Sequence, residues 1–346
     1  MSFRNKRRLR IIKSYSIGWT LALIFLSIVR GIGTVEVGHI NFDFLTSVIF
    51  CFIIGPFFGA ISGFAQIIYE ERVYKRISIK KLVLFRLIYF ILFLTGLVLF
   101  AYFANWVLFG IEIGIYEFAF DDGSFPVYFY IATIEFFLII ISQVNQMLGD
   151  RKLGQLLQGK FYIPREEERI FMFLDLQSST QLAEKLGHIK YSMLIQDCFS
   201  DLGVVIEDEA EIYQYVGDEA VLTWKLSEGI KNHNCLNAYF NFRKQLHKKN
   251  EYYQEVYSCS PFFKAGLHAG IVTVTEVGKY KKEIAYHGDT LNTAARIQGK
   301  CNEFGKEILI SEYIKNKLND NEFGFEKLGS VSLRGKNEEV FIYAVQ

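Results

Sequence analysis

Four long apolar stretches limit what this chain can fold into more than any other feature. They run over about 15–32, 44–69, 82–109 and 127–148. A helix needs about 20 consecutive apolar residues to cross the hydrocarbon core of a bilayer. The 33 phenylalanines are concentrated in this first part, and most of the charge lies after it. The chain therefore reads as a transmembrane domain of four spanning helices over 1–148, a short helical connector over 149–165, and a soluble domain over 166–346.

The flanks of the spans set their orientation. Arg4, Lys6, Arg7, Arg8, Arg10 and Lys13 precede the first span. Arg72, Lys75, Arg76, Lys80 and Lys81 lie between the second and third, and Arg151 and Lys152 follow the fourth. The other two loops carry Glu36 and Asp43, then Glu112, Glu117, Asp121 and Asp122. Basic loops stay on the cytoplasmic side, so both termini and the soluble half are expected there, with the spans in a bacterial-type inner or plasma membrane. A cleaved signal peptide is the rival for the first span. No small-x-small cleavage site follows it and three further spans do, so a retained helix is expected. Glu135 lies well inside the fourth span, with Gln66 and Gln143 near the inner ends of theirs. A carboxyl group in hydrocarbon is costly, which makes Glu135 a candidate membrane sensor for an unknown ligand or partner. The competing reading is a helix-packing hydrogen bond.

The connector places Met147, Leu148, Leu153, Leu156 and Leu157 at helical spacing, interrupted by Gly149, Gly154 and Gly159. It suits either pairing with a second copy or plain tethering. Pro164 and the charged run Arg165–Arg169 mark the start of the soluble domain. A net charge of +1 argues against a nucleic-acid partner. The five cysteines show no metal-ligand spacing and read as reduced thiols.

In the soluble half, an apolar strand over 170–176 ends at Asp175 and Leu176, followed by Gln177-Ser178-Ser179-Thr180 and a helix from about Gln181. Small hydroxyl residues cap a helix whose free N–H groups suit phosphate, so Ser178, Ser179 and Thr180 are candidate phosphate ligands. A long helix over 191–209 precedes EIYQYVGDEAVLTW, 211–224, which reads as a hairpin with Asp218 at its turn. Alone, Asp218 is turn chemistry. If the hairpin lies beside the first strand, Asp175 and Asp218 converge, and a pair of hard cations could bridge a triphosphate between them. A helix over 233–249 and strands within 262–277 and 283–286 come next, then a helix from about Thr290. Asn292 and Arg296 stand four apart on that helix, as an ordinary polar face or as an amide and a guanidinium for ribose and phosphate. A hairpin over 325–345 closes the chain. The order is roughly βαββαββαβ, an α+β ferredoxin-like sheet.

FMFLDLQSST, YVGDEA, GLHAG, YHGDTLNTAARI and LRGK, in this order and spacing, resemble the class III nucleotide cyclase catalytic domain of adenylyl and guanylyl cyclases. The likeness covers about 166–346. It implies two Mg²⁺ or Mn²⁺ ions held by Asp175, Asp218 and the Leu176 carbonyl. It implies transition-state roles for Asn292 and Arg296, and a triphosphate contact from Arg334. It further implies a homodimer with two shared sites, metal ligands from one subunit and the Asn/Arg pair from the other. The reaction implied is attack of a ribose 3′-oxygen on the α-phosphate of a nucleoside triphosphate, expelling pyrophosphate. The pattern gives His268 and His287 no role. Two positions that select the base depart from the family: Gln214, where Lys or Glu is usual, and Ala285, where Asp, Thr, Cys or Ser is usual. ATP is the favoured substrate on family grounds, with guanine and pyrimidine nucleotides open. The rival readings are a silent receptor that keeps the fold, another two-metal enzyme such as a diguanylate cyclase, and a small transporter with a regulatory domain.

Overall fold

The computed structural model describes residues 3–31, 44–73, 79–110, 113–149, 152–318, 322–332 and 339–346. Contacts divide the chain into two compact units, essentially Asn5–Met147 and Leu148–Gln346.

The first unit is helical: α1 (Phe3–Gly31), α2 (Phe44–Ile68), α3 (Ile79–Phe109), the short α4 (Ile115–Ala119) and α5 (Ser124–Leu148). Four of these helices are long and apolar enough to cross a membrane. The first starts well before the apolar stretch begins, because its basic leader continues the same hydrogen-bonded ladder. Tyr15, Trp19, Phe58, Phe93, Ile131 and Leu138 form the packed centre. Large side chains such as Phe52, Phe57, Phe103, Trp106 and Phe129 point outward. A soluble monomer rarely exposes so many large apolar side chains, as helices long and apolar enough to cross a membrane do.

Helices α1 and α2 approach through glycine. A Cβ on Gly55 would stand 2.5 Å from Thr20 Cα, and one on Gly59 2.4 Å from Ser16 Cα. Packing between helices in lipid relies on such close backbone approach, since apolar burial gives no advantage there.

The second unit opens with α6 (Lys152–Leu157), a six-residue remnant of the expected connector helix. Phe161 then turns inward, nearly fully buried, and its carbonyl accepts from Glu276 N–H at 2.8 Å. The remaining order is β1 (Arg165–Leu176), α7 (Ser179–Leu202), β2 (Glu211–Val216), β3 (Glu219–Lys225), α8 (Leu226–Ile230), α9 (Asn234–Lys248), α10 (Asn250–Tyr257), β4 (Phe263–Val277), β5 (Glu283–His287), α11 (Asp289–Gly299), β6 (Ile308–Ser311), α12 (Glu312–Lys317), β7 (Phe325–Ser332) and β8 (Glu339–Val345). The eight strands form one sheet in the order β2-β3-β1-β4-β6-β8-β7, with β5 paired to β4.

Several details differ from the reading of the sequence. The charged run Arg165–Arg169 is strand rather than boundary: it pairs with Val274–Gly270 of β4. Arg169 is buried there, donating to Glu167 and Thr223, with Glu211 at 3.0 Å. A second helix, α10, follows the one expected over 233–249, and β6 is an additional strand, parallel to β4. Four buried residues, too few to show a period, concealed β6.

Strand β1 is apolar on both faces because both are covered. Met172, Leu174 and Leu176 join a large core with α7, α9 and α10. Phe171 and Phe173 join a smaller one with Val272, Tyr286 and Ala294. The central strand is thereby fixed at both ends of its register, and Asp175 at its C-terminal end is held in a defined place.

Candidate active site

Asp175 occupies one row of the sheet with a residue on each side: Glu219 on β3 and Lys264 on β4. Side chains at matched positions of neighbouring strands share a face. Two carboxylates and an ammonium therefore stand in line across the sheet end. Asp218 joins them from the two-residue turn between β2 and β3, where Gly217 takes φ +61°. A Cβ at Gly217 would disfavour that left-handed turn, which is why glycine precedes the aspartate.

These acids act on one another. Burial and then the Asp218 charge push the Asp175 carboxyl above its ordinary value, and a Gln298 side-chain hydrogen bond partly offsets this. Burial, Asp175 and Asp218 push Glu219 up to about 6. Three carboxyl groups are thus gathered at one end of the sheet beside a single ammonium, a crowding that a hard cation relieves.

The loop after Asp175 forms the wall of an open cavity of about 310 Å³, lined by residues 175–181 together with Lys264, Gln298 and Asn302. Ser178 adopts a left-handed conformation (φ 58°) and its side chain caps nothing. Gly187 (φ 72°) then breaks α7, leaving a first segment whose N-terminus faces the cavity loop. Free backbone N–H groups at such an end attract phosphate. Lys264 donates to Asn302 at 2.7 Å, which holds its ammonium at the cavity edge.

Helix α11 packs tightly across β4. A Cβ on Gly266 would stand 2.1 Å from Gln298 N, and one on Gly270 2.7 Å from Thr290 Oγ1. Its inner face is Thr290, Thr293, Ala294 and Ile297. Asn292 is exposed and Arg296 half-exposed on the other side, and neither lines the cavity of its own chain.

The structure thus brings together Asp175, Leu176, Ser178, Ser179, Thr180 and Asp218, and keeps Asn292 and Arg296 apart from them. Gln214 on edge strand β2 and Ala285 on β5 have β3, β1 and β4 between them in the sheet order, yet the neighbouring rings of Tyr213 and Tyr286 meet across the sheet face, centroids 5.0 Å apart. Arg334 lies outside the described residues. Glu135 belongs to the helical unit, where it is buried against Ser62. Sequence reasoning missed Lys264, Gln298, Asn302 and Glu219. Of these, Lys264 was within reach: it stands two residues before the Gly266 of GLHAG, where antiparallel pairing puts it opposite Asp175.

The donor set suits a hard divalent cation. Carboxylates and a backbone carbonyl are the oxygen ligands that Mg²⁺ and Mn²⁺ accept. Among the described residues no three His, Cys, Asp or Glu side chains converge on one point.

Residues 161–346 match the family described as the adenylate and guanylate cyclase catalytic domain. Adenylate cyclase 2 of Rhizobium meliloti (strain 1021) is 31% identical over 210 residues, 60% of this chain and 58% of that relative. The adenylate cyclase of Anabaena cylindrica is 28% identical over 184 residues, 51% of this chain and 36% of the relative. The chain spans little more than half of the first of these and about a third of the second. A solved bacterial light-regulated adenylyl cyclase shares the fold at a TM-score of 0.52, with 19% identity, covering 62% of this chain and 64% of that one. Sheet order, the acidic row and the family match together show that this chain belongs to the adenylate and guanylate cyclase catalytic domain family.

Proposed function

We propose that the chain is a membrane-anchored nucleotide cyclase. It would convert a nucleoside triphosphate, ATP first, to the 3′,5′-cyclic monophosphate and pyrophosphate in a homodimer. The observation that carries this reading is the row Glu219–Asp175–Lys264 with Asp218 beside it, at the mouth of the cavity formed by the loop into α7.

In this reading the N-terminus of α7 and Lys264 hold the outer phosphates, and Asp175, Asp218 and the Leu176 carbonyl hold Mg²⁺ or Mn²⁺. When bound, two such ions lower the pKa of the ribose 3′-hydroxyl and neutralise the leaving pyrophosphate. The bond formed joins the 3′-oxygen to the α-phosphorus; the bond broken is the α–β bridge, and the hydroxyl proton passes to solvent. Asn292 orients the ribose and Arg296 opposes charge growing on the α-phosphate. Neither lines its own chain's cavity and both reach the surface of α11, which fits supply from a second copy and two shared sites per dimer. The adenylate cyclase names of the relatives favour ATP. Gln214 can donate or accept to a base and Ala285 does neither, so ATP rests on kinship rather than on the pocket. Four apolar helices and their basic flanks support membrane anchoring with both termini cytoplasmic.

The test is direct. The full chain in lipid is given Mg²⁺ or Mn²⁺ with each nucleoside triphosphate, and the product is identified by mass. A folded dimer that yields no cyclic nucleotide from any triphosphate would sink the proposal.

A further inference from the structure

The helical unit holds a second cluster of polar side chains, and all four long helices contribute to it. Glu135 on α5 is 5% exposed. The Ser62 hydroxyl of α2 lies 2.8 Å from each of its carboxyl oxygens. Tyr15 and Trp19 of α1 are buried around it, and Tyr89 of α3 stands beside it. The Tyr15 hydroxyl, the Trp19 Nε1–H and the Tyr89 hydroxyl make no close, well-aligned hydrogen bond among the described residues, although Trp19 is near Glu135, Tyr15 near Ser142 and Tyr89 near Ser62. Three loosely held donors around one buried carboxyl are unusual, since buried polar groups are nearly always paired closely. The charged groups that face the cluster are Arg86 of α3 and Glu70, just beyond α2. Among the described residues, no lysine or arginine comes within ion-pair distance of Glu135.

A polar row leads from the cluster toward the α2 end that carries Glu70. The Tyr15 hydroxyl faces both Glu135 and Ser142. Ser142 donates to Glu70 at 3.0 Å, and Gln66 donates to both Ser142 and Glu70. Glu70 pairs with Arg7 at 2.7 Å.

A carboxylate in hydrocarbon must be neutralised by a cation or a proton, or solvated by donors. Among the described residues no lysine or arginine is within ion-pair distance of it, whereas Ser62 donates to it and three further donors (Tyr15, Trp19 and Tyr89) lie around it, able to solvate the ionised form. Both protonation states are therefore accommodated. We propose that Glu135, with Tyr15, Trp19, Ser62 and Tyr89, is a proton-binding site through which the membrane unit responds to pH. The proton passes by the Tyr15 and Ser142 hydroxyls to Glu70, each hydroxyl taking one proton and giving up another while Gln66 holds Ser142 and Glu70 in place, and the charge is left on Glu135 among its donors. Helix α5, which carries Glu135, runs on to the connector, so a change in the Ser62–Glu135 contact acts on the segment that leads to the second unit. The inference rests on the membrane reading of the four helices, not on catalysis.

The experiment uses the full chain in phosphatidylcholine–phosphatidylglycerol nanodiscs and two readouts. In infrared pH titrations, wild type minus Glu135→Gln should show the C=O band of a protonated carboxyl that is lost at high pH. Ser62→Ala removes a donor to the ionised form and should move the midpoint up by about one pH unit. A difference spectrum with no titrating carboxyl, or a midpoint that Ser62→Ala leaves in place, overturns the site. Ser62→Ala keeps Glu135 itself, so the second criterion holds even if Glu135→Gln does not fold. In the activity readout, one limb of the wild-type pH profile should be lost in Glu135→Gln, while titrations of the catalytic unit appear in both. Superimposable profiles from active proteins overturn the pH response. Absence of activity in every variant counts against the proposed function, and the infrared result still decides the site.

Discussion

Glu219 shows how a single residue ties the site to stability. Its carboxyl is pushed up to about 6 by burial and by Asp175 and Asp218. A carboxyl raised in the folded state favours folding while protonated. That contribution is full below the ordinary value of 4.5 and is lost as the pH rises through about 6. The chelator-treated protein should therefore lose thermal stability across that window. Glu219→Gln should flatten the loss and gain about 1 kcal/mol near neutrality, after allowing for solvent screening. Calorimetry of both proteins in chelator checks this; parallel pH curves would refute the coupling. The residue was overlooked in the sequence because GDEA reads as a turn entering a strand. Only the pairing of β3 with β1 sets Glu219 opposite Asp175. By contrast, Asp175 and Asp218 were legible, since each sits where an apolar strand stops.

At the scale of elements, two glycines set distances that side chains elsewhere depend on. Gly266→Ala would place a Cβ 2.1 Å from the α11 backbone at Gln298, with no flexible side chain to yield. The variant should be destabilised by about 2 kcal/mol or more, and α11 should lift from β4. Both Asn292 and Arg296 ride on that helix, so cyclase activity should fall further than stability alone accounts for. Chemical denaturation and turnover at a temperature where both proteins are folded separate the two effects. In the helical unit, Gly59→Ala would drive a Cβ to 2.4 Å from Ser16 Cα. Thermal denaturation in detergent should show a loss of about 1–3 kcal/mol, whereas Gly96→Ala on α3, where a Cβ meets nothing within 4 Å, should be neutral. The long helices of the first unit were evident from their apolar runs, β1 from its continuous apolar stretch, and the β2–β3 hairpin from its alternation. Helix α10 and strand β6 were not, because a short element has too few residues to display a period.

For the whole molecule, the arrangement of the site predicts complementation. Asp175→Ala and Asn292→Ala should each abolish cyclic nucleotide formation in the homodimer. An equal mixture should recover roughly a quarter of wild-type activity, because half the dimers are mixed and each mixed dimer has one intact site. A mixture as inactive as its components would argue that Asn292 and Asp175 act within one chain. The outward position of Asn292 and Arg296, on the face of α11 opposite Ala294 and Ile297, favours recovery.

Local chemistry was enough for the sequence to determine much of this protein by itself. Four apolar runs specify helices long and apolar enough to cross a membrane, because hydrocarbon admits no unpaired backbone. An ordered set of motifs specifies the catalytic family. What waited for the tertiary structure was whatever depends on residues distant in the chain meeting. Register alone places Lys264 and Glu219 on either side of Asp175, and close packing at Gly266 alone brings Gln298 to it. In the same way Glu135 was an isolated carboxyl in an apolar run until three other helices packed around it, each supplying a polar group that its own segment gave no reason to connect.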